Sequence, residues 1–153
     1  MIRQALLASA FTLAFTLGAM AQEKRIEQSS LPPAVQKTVQ EQSRGATVKG
    51  FSTEIEHGRR VYEAEMMISG HTKDIEIAED GTLNEIEEEV AYDSLPGNVQ
   101  KALTAKAAGA KITKVESLTK HGTLVAYEAA TIKGTKKGEI QVGPDGGKLS
   151  HEE

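Results

Sequence analysis

The densest group of chemically useful side chains in this sequence is an acidic run near its middle. It holds four carboxylates in five consecutive positions, at Glu85, Glu87, Glu88 and Glu89. If residues 82–90 form a β-strand, Glu85, Glu87 and Glu89 share one face, because alternate side chains of a strand point the same way. Three carboxylates on one face can attract Ca²⁺ or a basic protein surface, although the EF-hand spacing is missing. A solvated face, which deters edge-to-edge pairing of sheets, is the simpler interpretation.

The residues that usually carry catalysis form no recognisable motif. The chain has no cysteine, and none of its serines lies in a Gly-x-Ser-x-Gly elbow. Its four histidines lack the His-x-x-x-His spacing of a metal site, and two of them, His57 and His121, precede glycines in predicted turns. We therefore expect a non-catalytic protein without a cofactor, whose histidines are solvated turn residues.

The elements that would position these side chains occur twice. Matching segments lie 64 to 65 positions apart, and a fixed internal period is strong evidence for repeated structural units. The matches are residues 30–37 with 94–101, His57-Gly58 with His121-Gly122, Tyr62-Glu63-Ala64 with Tyr127-Glu128-Ala129, and Asp80-Gly81 with Asp145-Gly146.

Each copy begins with a predicted helix. Ser30 and Ser94 are good N-cap residues, each followed two positions later by a proline that a first helical turn tolerates. Apolar residues then recur at a spacing of four, and Gly45 and Gly109 are candidate helix stops. Only one side of such a helix can be buried.

Predicted strands follow each helix. Segments rich in β-branched residues are separated by His-Gly and Asp-Gly turns. In the first copy they are 47–56, 60–69, the region of Ile75 and Ile77, and 82–90. In the second copy they are 111–120, 124–133, the region of Ile140 and Val142, and a shorter 148–153. We therefore predict an α+β fold of two tandem repeats, at residues 22–92 and 93–153. Each is one helix followed by a three- to four-stranded antiparallel sheet, and the two sheets either pack together or merge.

The strand at 60–69 has two chemically different faces. Tyr62, Ala64 and Met66 alternate on one face, which we expect to be core. The opposite face carries Val61, Glu63, Glu65 and Met67. Because a helix covers only one side of a sheet, the opposite face must meet solvent, the other copy or a partner, and these four residues are the predicted partner site.

The first 21 residues have the pattern of a cleavable signal peptide. Arg3 precedes a small and apolar run at 5–17, and Ala19-Met20-Ala21 fits the small-x-small cleavage rule. The run is shorter than a spanning helix needs, so an uncleaved anchor is the weaker alternative. We expect a mature chain from Gln22, periplasmic or secreted, without a membrane segment after cleavage and monomeric.

Charge is divided unevenly between the copies. Residues 22–92 carry 8 basic and 15 acidic side chains, whereas residues 93–153 carry 9 and 7. The acidic first copy would repel phosphate, which argues against nucleic acid. Its charge either keeps an exported protein soluble or faces a basic partner.

The order of these elements resembles the PepSY-like family, also described as β-lactamase-inhibitor-like. The resemblance rests on the Ser-Leu-Pro helix start, the glycine stop, the Tyr-Glu-Ala strand and the Asp-Gly turn, each present twice between residues 28 and 149. It implies an exported protein that binds a protein or peptide and can act as an inhibitor. The chain departs from the inhibitor pattern in having no cysteine or tryptophan. The alternative is a periplasmic module that binds a cation or small ligand through Glu85, Glu87 and Glu89, and a structural or stress-related role without a defined ligand is also open.

Overall fold

The computed structural model describes residues 23–153, so the predicted signal peptide at 1–21 lies outside the described residues. The strands are β1 (Lys24–Ile26), β2 (Ala46–Glu56), β3 (Arg59–Ile68), β4 (His71–Ala78), β5 (Leu83–Glu89), β6 (Lys111–Lys120), β7 (Thr123–Lys133) and β8 (Lys136–Val142). The helices are α1 (Pro33–Gln42) and α2 (Gly97–Ala107), each preceded by a short 3-10 helix, Gln28–Ser30 and Tyr92–Ser94. No helix in this part of the chain is long and apolar enough to cross a membrane.

All eight strands form a single antiparallel sheet in chain order, β1 to β8. The predicted fold class, two α+β repeats of a helix followed by a short sheet, is therefore wrong, because the protein is mostly β. The joining pair is β5 and β6, aligned from Glu85 opposite Lys120 to Glu89 opposite Glu116. Pairing these strands satisfies backbone N–H and C=O groups that two separate sheets would leave along exposed edges. The predicted strand at 148–153 does not form.

Both helices pack on the same face of this sheet. α1 buries Val35 and Val39 against a cluster that includes Tyr62, Ala64 and Met66, which confirms the predicted core face. The α2 cluster is made with Val115, Ala129 and Val142. Ile86 of β5 packs against the α1 cluster and lies opposite Thr119 of β6. Val115 shares the face of Thr119 because side chains alternate along a strand, so the two clusters lie side by side.

The helices begin without the predicted serine caps. The N-cap positions are Pro32 and Pro96, and neither helix has a side-chain cap hydrogen bond. Ser30 and Ser94 end the 3-10 helices instead, and the Ser94 hydroxyl donates to the Ala91 carbonyl at 2.7 Å. Proline has no N–H that needs a capping partner and a fixed φ, so it is compatible with a helix start. The serines are occupied in the preceding 3-10 helices and therefore cannot serve as caps.

The predicted turns are confirmed. His57-Gly58 and His121-Gly122 connect β2 to β3 and β6 to β7, with positive φ at both residues of each pair, as a two-residue hairpin turn requires. The Asp-Gly turns dock on the helices. A Cβ added at Gly81 would lie 2.9 Å from the Ala34 carbonyl oxygen, and one at Gly146 would lie 2.7 Å from that of Asn98.

Candidate functional site

The sheet face opposite the helices, hereafter the uncovered face, is lined mainly by carboxylates. On β3 the side chains that alternate with the buried Tyr62 and Ala64 are Val61, Glu63 and Glu65. The register then carries this face across the sheet, because Glu63 lies opposite Glu76 of β4 and Glu76 opposite Glu85 of β5. The acidic members on the strands within residues 23–153 are Glu54, Glu56, Glu63, Glu65, Asp74, Glu76, Glu85, Glu87, Glu89, Glu116, Glu128 and Glu139.

Both sets of residues singled out from the sequence lie on this one face. Val61, Glu63, Glu65 and Met67 belong to β3, and Glu85, Glu87 and Glu89 belong to β5. The strand between them, β4, adds Thr72, Asp74 and Glu76. The predicted partner site and the predicted acidic strand are therefore parts of one continuous face, although Val61 is only 6% exposed and offers a ligand little surface.

Two rows of carboxylates cross β3, β4 and β5. One row is Glu63, Glu76 and Glu85, and the other is Glu65, Asp74 and Glu87. Side chains directly opposite each other on antiparallel strands have Cβ atoms about 5 Å apart, so like charges in these positions repel. The sequence of each strand alone does not reveal this crowding, because it arises from the register between strands.

Few cations on the uncovered face compensate this charge. Arg25 pairs with Glu65 at 2.5 Å, and the Lys114 Nζ lies 2.7 Å from Glu116. Lys120 lies 3.5 Å from Glu85. Neutral donors supplement these ion pairs: the Ser52 hydroxyl donates to Glu63 at 3.2 Å, and the Asn84 amide donates to Glu76 at 2.8 Å.

The pKa values of the central carboxyls are raised. Burial raises the pKa of Glu87 to about 9, with further contributions from Glu85 and Glu116. Burial also raises the pKa of Glu63 to about 7, assisted by Asp74, and that of Asp74 to about 6, assisted by Glu116. Near neutral pH the centre of the face therefore holds protons that an approaching positive charge can replace.

The same is true of Glu76. Burial raises its pKa to about 7, although the hydrogen bond from Asn84 opposes the shift. Glu76 lies between Glu63 and Glu85 in its row. A positive charge placed over this row would lower the pKa of all three carboxyls together.

The carboxylates that converge most closely are not the three predicted from the acidic run. Oxygen atoms of Asp74, Glu87 and Glu116 all lie within 4.8 Å of one another, and Glu116 is only 5% exposed. This is the only such cluster of metal-ligating side chains within residues 23–153. Asp74 and Glu116 belong to the strands on either side of β5, so sequence spacing carries no signal of their proximity.

The other two predicted metal ligands have different partners. Glu85 pairs with Lys120, and Glu89 accepts hydrogen bonds from the backbone N–H and hydroxyl of Thr72, at 3.1 and 3.3 Å. Glu85, Glu87 and Glu89 therefore share a face but do not converge on one point. His57 and His121 lie in hairpin turns, as predicted.

Comparisons with known proteins identify the fold. No family model matches the chain, and no curated protein matches it. Among solved structures, it is similar to a BLIP-like protein from Bacteroides fragilis, with 20% identity, a TM-score of 0.58, and coverage of 78% of this chain and 83% of the other.

Two further structures agree with this fold. One is a candidate periplasmic protein from Bacteroides eggerthii, with 17% identity, a TM-score of 0.63, and coverage of 78% and 86%. The other is a DUF2874 family protein from Bacteroides ovatus, with 18% identity, a TM-score of 0.61, and coverage of 79% and 86%. At these identities the likeness concerns the fold alone. The β-lactamase-inhibitor-like part of the predicted resemblance is thus supported as a BLIP-like fold, whereas PepSY membership and the tandem copies stay predictions.

Proposed function

We propose that this chain is an exported, non-catalytic protein-binding module, and that a partner with a basic surface docks on the uncovered face around β3, β4 and β5. The observation that carries the proposal is the pair of carboxylate rows on that face. Export is supported by the signal-peptide pattern, and a periplasmic location is supported by the likeness to a candidate periplasmic protein.

Electrostatics favours a cationic partner over a neutral one. A lysine or arginine placed over the rows would interact with several carboxylates that are already partly removed from water. Its charge would replace the protons that these groups hold near neutral pH. The gain in binding free energy is largest where the carboxylates have the fewest cations beside them. This is the centre of the face rather than its edge at Arg25.

The test compares two chains that differ only in which carboxylates are neutralised. In E63Q/E76Q, one crowded pair of the central row becomes neutral, whereas in E41Q/E79Q two exposed carboxylates elsewhere do. Relief of repulsion should leave E63Q/E76Q at least as stable as the wild type, so any lost binding cannot be blamed on unfolding. Residues 22–153 of each chain serve as bait in the same envelope extract, and the captured partner is then purified and titrated by calorimetry.

We expect the wild type and E41Q/E79Q to bind equally, and E63Q/E76Q to bind at least about tenfold more weakly, with both affinities falling as salt screens the charges. Affinity should rise between pH 5.5 and 8, because the Glu63 and Glu76 carboxyls ionise over that range. Equal affinity for all three chains would refute the proposed face, and an affinity indifferent to salt and pH would refute the basic partner.

Cation binding stays a prediction, now attached to different residues. The convergence of Asp74, Glu87 and Glu116 favours this trio over Glu85, Glu87 and Glu89. Calorimetry with Ca²⁺, Zn²⁺ and Cu²⁺ on the wild type, D74N and E89Q separates the two sets. Binding lost only in D74N would support the trio. Absence of heat and of a melting-temperature shift with every ion would remove the cation function.

A further inference from the structure

The segment after β8, residues 143–153, passes from the helix side of the sheet to the uncovered face. Its turn at Asp145-Gly146 lies against α2, where the Asn98 amide donates to the Asp145 carbonyl. Its last residue, Glu153, contacts Gln141 and Lys120, whose register places them on the uncovered face. We name residues 143–153 the wrap segment, because they bend around the end of β8.

Gln141 holds Glu153 through both of its main-chain groups. The Glu153 N–H donates to the Gln141 Oε1 at 2.8 Å, and the Gln141 Nε2 donates to the Glu153 main-chain oxygen at 3.2 Å. Gln141 is 7% exposed, and its Nε2 also donates to Glu128 at 2.7 Å, which fixes the orientation of the amide. A residue on a neighbouring strand is recognised in the same way, with N–H and C=O paired on one side.

Lys120 contacts the side chain of the same residue, Glu153. Its Nζ lies 3.4 Å from the Glu153 carboxylate and 3.5 Å from that of Glu85. Burial opposes the charge of the ammonium, but these two carboxylates outweigh it and raise the pKa of Lys120 above its ordinary value. On a face dominated by acidic groups, Lys120 is thus a point that accepts a carboxylate from outside the sheet.

Two buried apolar side chains, Leu118 and Ala126, lie on the same face as Gln141 and Lys120, and we call this pair the apolar floor. The register aligns Leu118 of β6 with Ala126 of β7, on the face of Glu116 and Glu128. Leu118 is 2% exposed and Ala126 0%, although this face has no helix over it. Glu153 contacts both Gln141 on β8 and Lys120 on β6, and Ala126 belongs to β7, the strand between them.

We propose that Gln141, Lys120 and the floor of Leu118 and Ala126 form a docking site for an extended peptide residue with a carboxylate side chain, and that Glu153 occupies it in cis. The wrap segment therefore closes the β6–β8 end of the uncovered face until a competing acidic segment displaces it. That a partner docks on this face rests on the proposed function, and the acidic segment that displaces Glu153 is an addition to it; the site itself can be tested without any partner.

The experiment uses nuclear magnetic resonance on residues 22–153 and a defined probe. Backbone order of residues 150–153 is measured in the wild type, E153P and K120Q, with E152Q as the matched control. E153P removes the N–H that donates to Gln141, K120Q removes the ion pair, and Glu152 is exposed. The probe is an acetylated peptide with the sequence of residues 148–153, added to each chain, and a second peptide has glutamine in place of its last glutamate.

We expect residues 150–153 to be as ordered as β8 in the wild type and E152Q, and mobile in E153P and K120Q. The probe should shift the Gln141 side-chain amide signals of E153P and bind the wild type at least about tenfold more weakly, because a tethered segment competes at an effective concentration of about millimolar. The glutamine peptide should bind E153P more weakly than the probe does.

Several results would overturn the docking site. These are mobile residues 150–153 in the wild type, an E153P segment that stays ordered, or a probe that leaves the Gln141 signals of a released E153P chain unchanged. None of them depends on the search for a basic partner, so this inference and the proposed function can fail separately.

Discussion

Glu87 offers the sharpest test of the charge argument, because its folded and unfolded states bind protons so differently. Its pKa is about 9 in the folded protein against an ordinary value of 4.5, with burial as the main cause and the neighbouring carboxylates adding to it. An acid whose pKa is raised by folding takes up a proton on folding. Stability is therefore highest below pH 4.5 as far as this group is concerned, and is lost progressively as pH rises towards 9.

The magnitude follows from the same values. At pH 7 an unfolded Glu87 is ionised and must be protonated on folding, which costs about 3 kcal/mol for the interval from 4.5 to 7. E87Q puts a neutral isostere in place of the protonated acid and removes this cost. Because the charges of neighbouring carboxylates contribute to the raised pKa of Glu87, only part of this cost is recovered in the variant, and we expect E87Q to raise the free energy of unfolding at pH 7 by roughly 1–3 kcal/mol.

Urea unfolding at pH 5, 7 and 8.5 measures this effect. The wild type should lose stability between pH 5 and 8.5, the loss should be smaller in E87Q, and the two chains should converge at pH 5. E79Q is the matched control, since Glu79 is exposed in the β4–β5 turn and should leave the pH dependence of the wild type unchanged. Parallel pH profiles for the wild type and E87Q would refute the assignment of a buried proton to this carboxyl.

Three further predictions concern stability. G146A should cost at least about 2 kcal/mol more than G122A, since both glycines have φ of 79° but only a Cβ at position 146 would meet backbone, at 2.7 Å; equal losses in thermal unfolding would show that the helix yields there. A108N should stabilise by up to about 1 kcal/mol, because Ala108 caps α2 in the left-handed region; a lower melting temperature than the wild type would contradict it. M66A should lower the free energy of unfolding by about 2–5 kcal/mol, measured with urea, and M67A should lower it far less. The reason is that Met66 is 1% exposed beneath α1 whereas Met67 lies on the uncovered face. Similar losses in the two variants would mean that the faces are misassigned.

Local patterns predicted the strands and turns well. The alternation at Tyr62, Ala64 and Met66 placed β3 and its buried face, and β-branched runs placed β6 at the bounds seen in the structure. These features depend on side-chain period and turn chemistry, which act over a few residues. Both Asp-Gly turns formed where predicted, but their contacts with the helices depend on packing that no local pattern encodes.

The helix starts and the fold class were the main errors. A serine before a proline satisfies every local rule for a cap, yet the chain uses the proline itself because a 3-10 turn precedes it. Whether β5 ends one sheet or pairs with β6 depends on where α2 sits, a tertiary property. The internal repeat favoured two units, and nothing in either copy alone marks the β5 edge as paired.

The same dependence on tertiary structure explains which residues of the candidate site could be predicted from the sequence. Glu63 and Glu87 were each recognised as belonging to a distinct surface, one for a partner and one for a cation. The register brings both to a single face, and it adds Asp74 and Glu116, which no motif had marked. Chemistry that depends on several strands is invisible until their alignment is known.

This arrangement has a physical consequence for how such a face can persist. Carboxylates opposite one another on adjacent strands destabilise the sheet unless they are protonated, paired or solvated. The uncovered face has few cations, and one of them, Lys120, is shared between Glu85 and Glu153. A sheet that served only as scaffold would be more stable with neutral residues in the central row. If E63Q/E76Q and E87Q are both more stable than the wild type while E63Q/E76Q loses its partner, the crowding is a cost of binding. If they are stabilised and binding is intact, the proposed face has no such role.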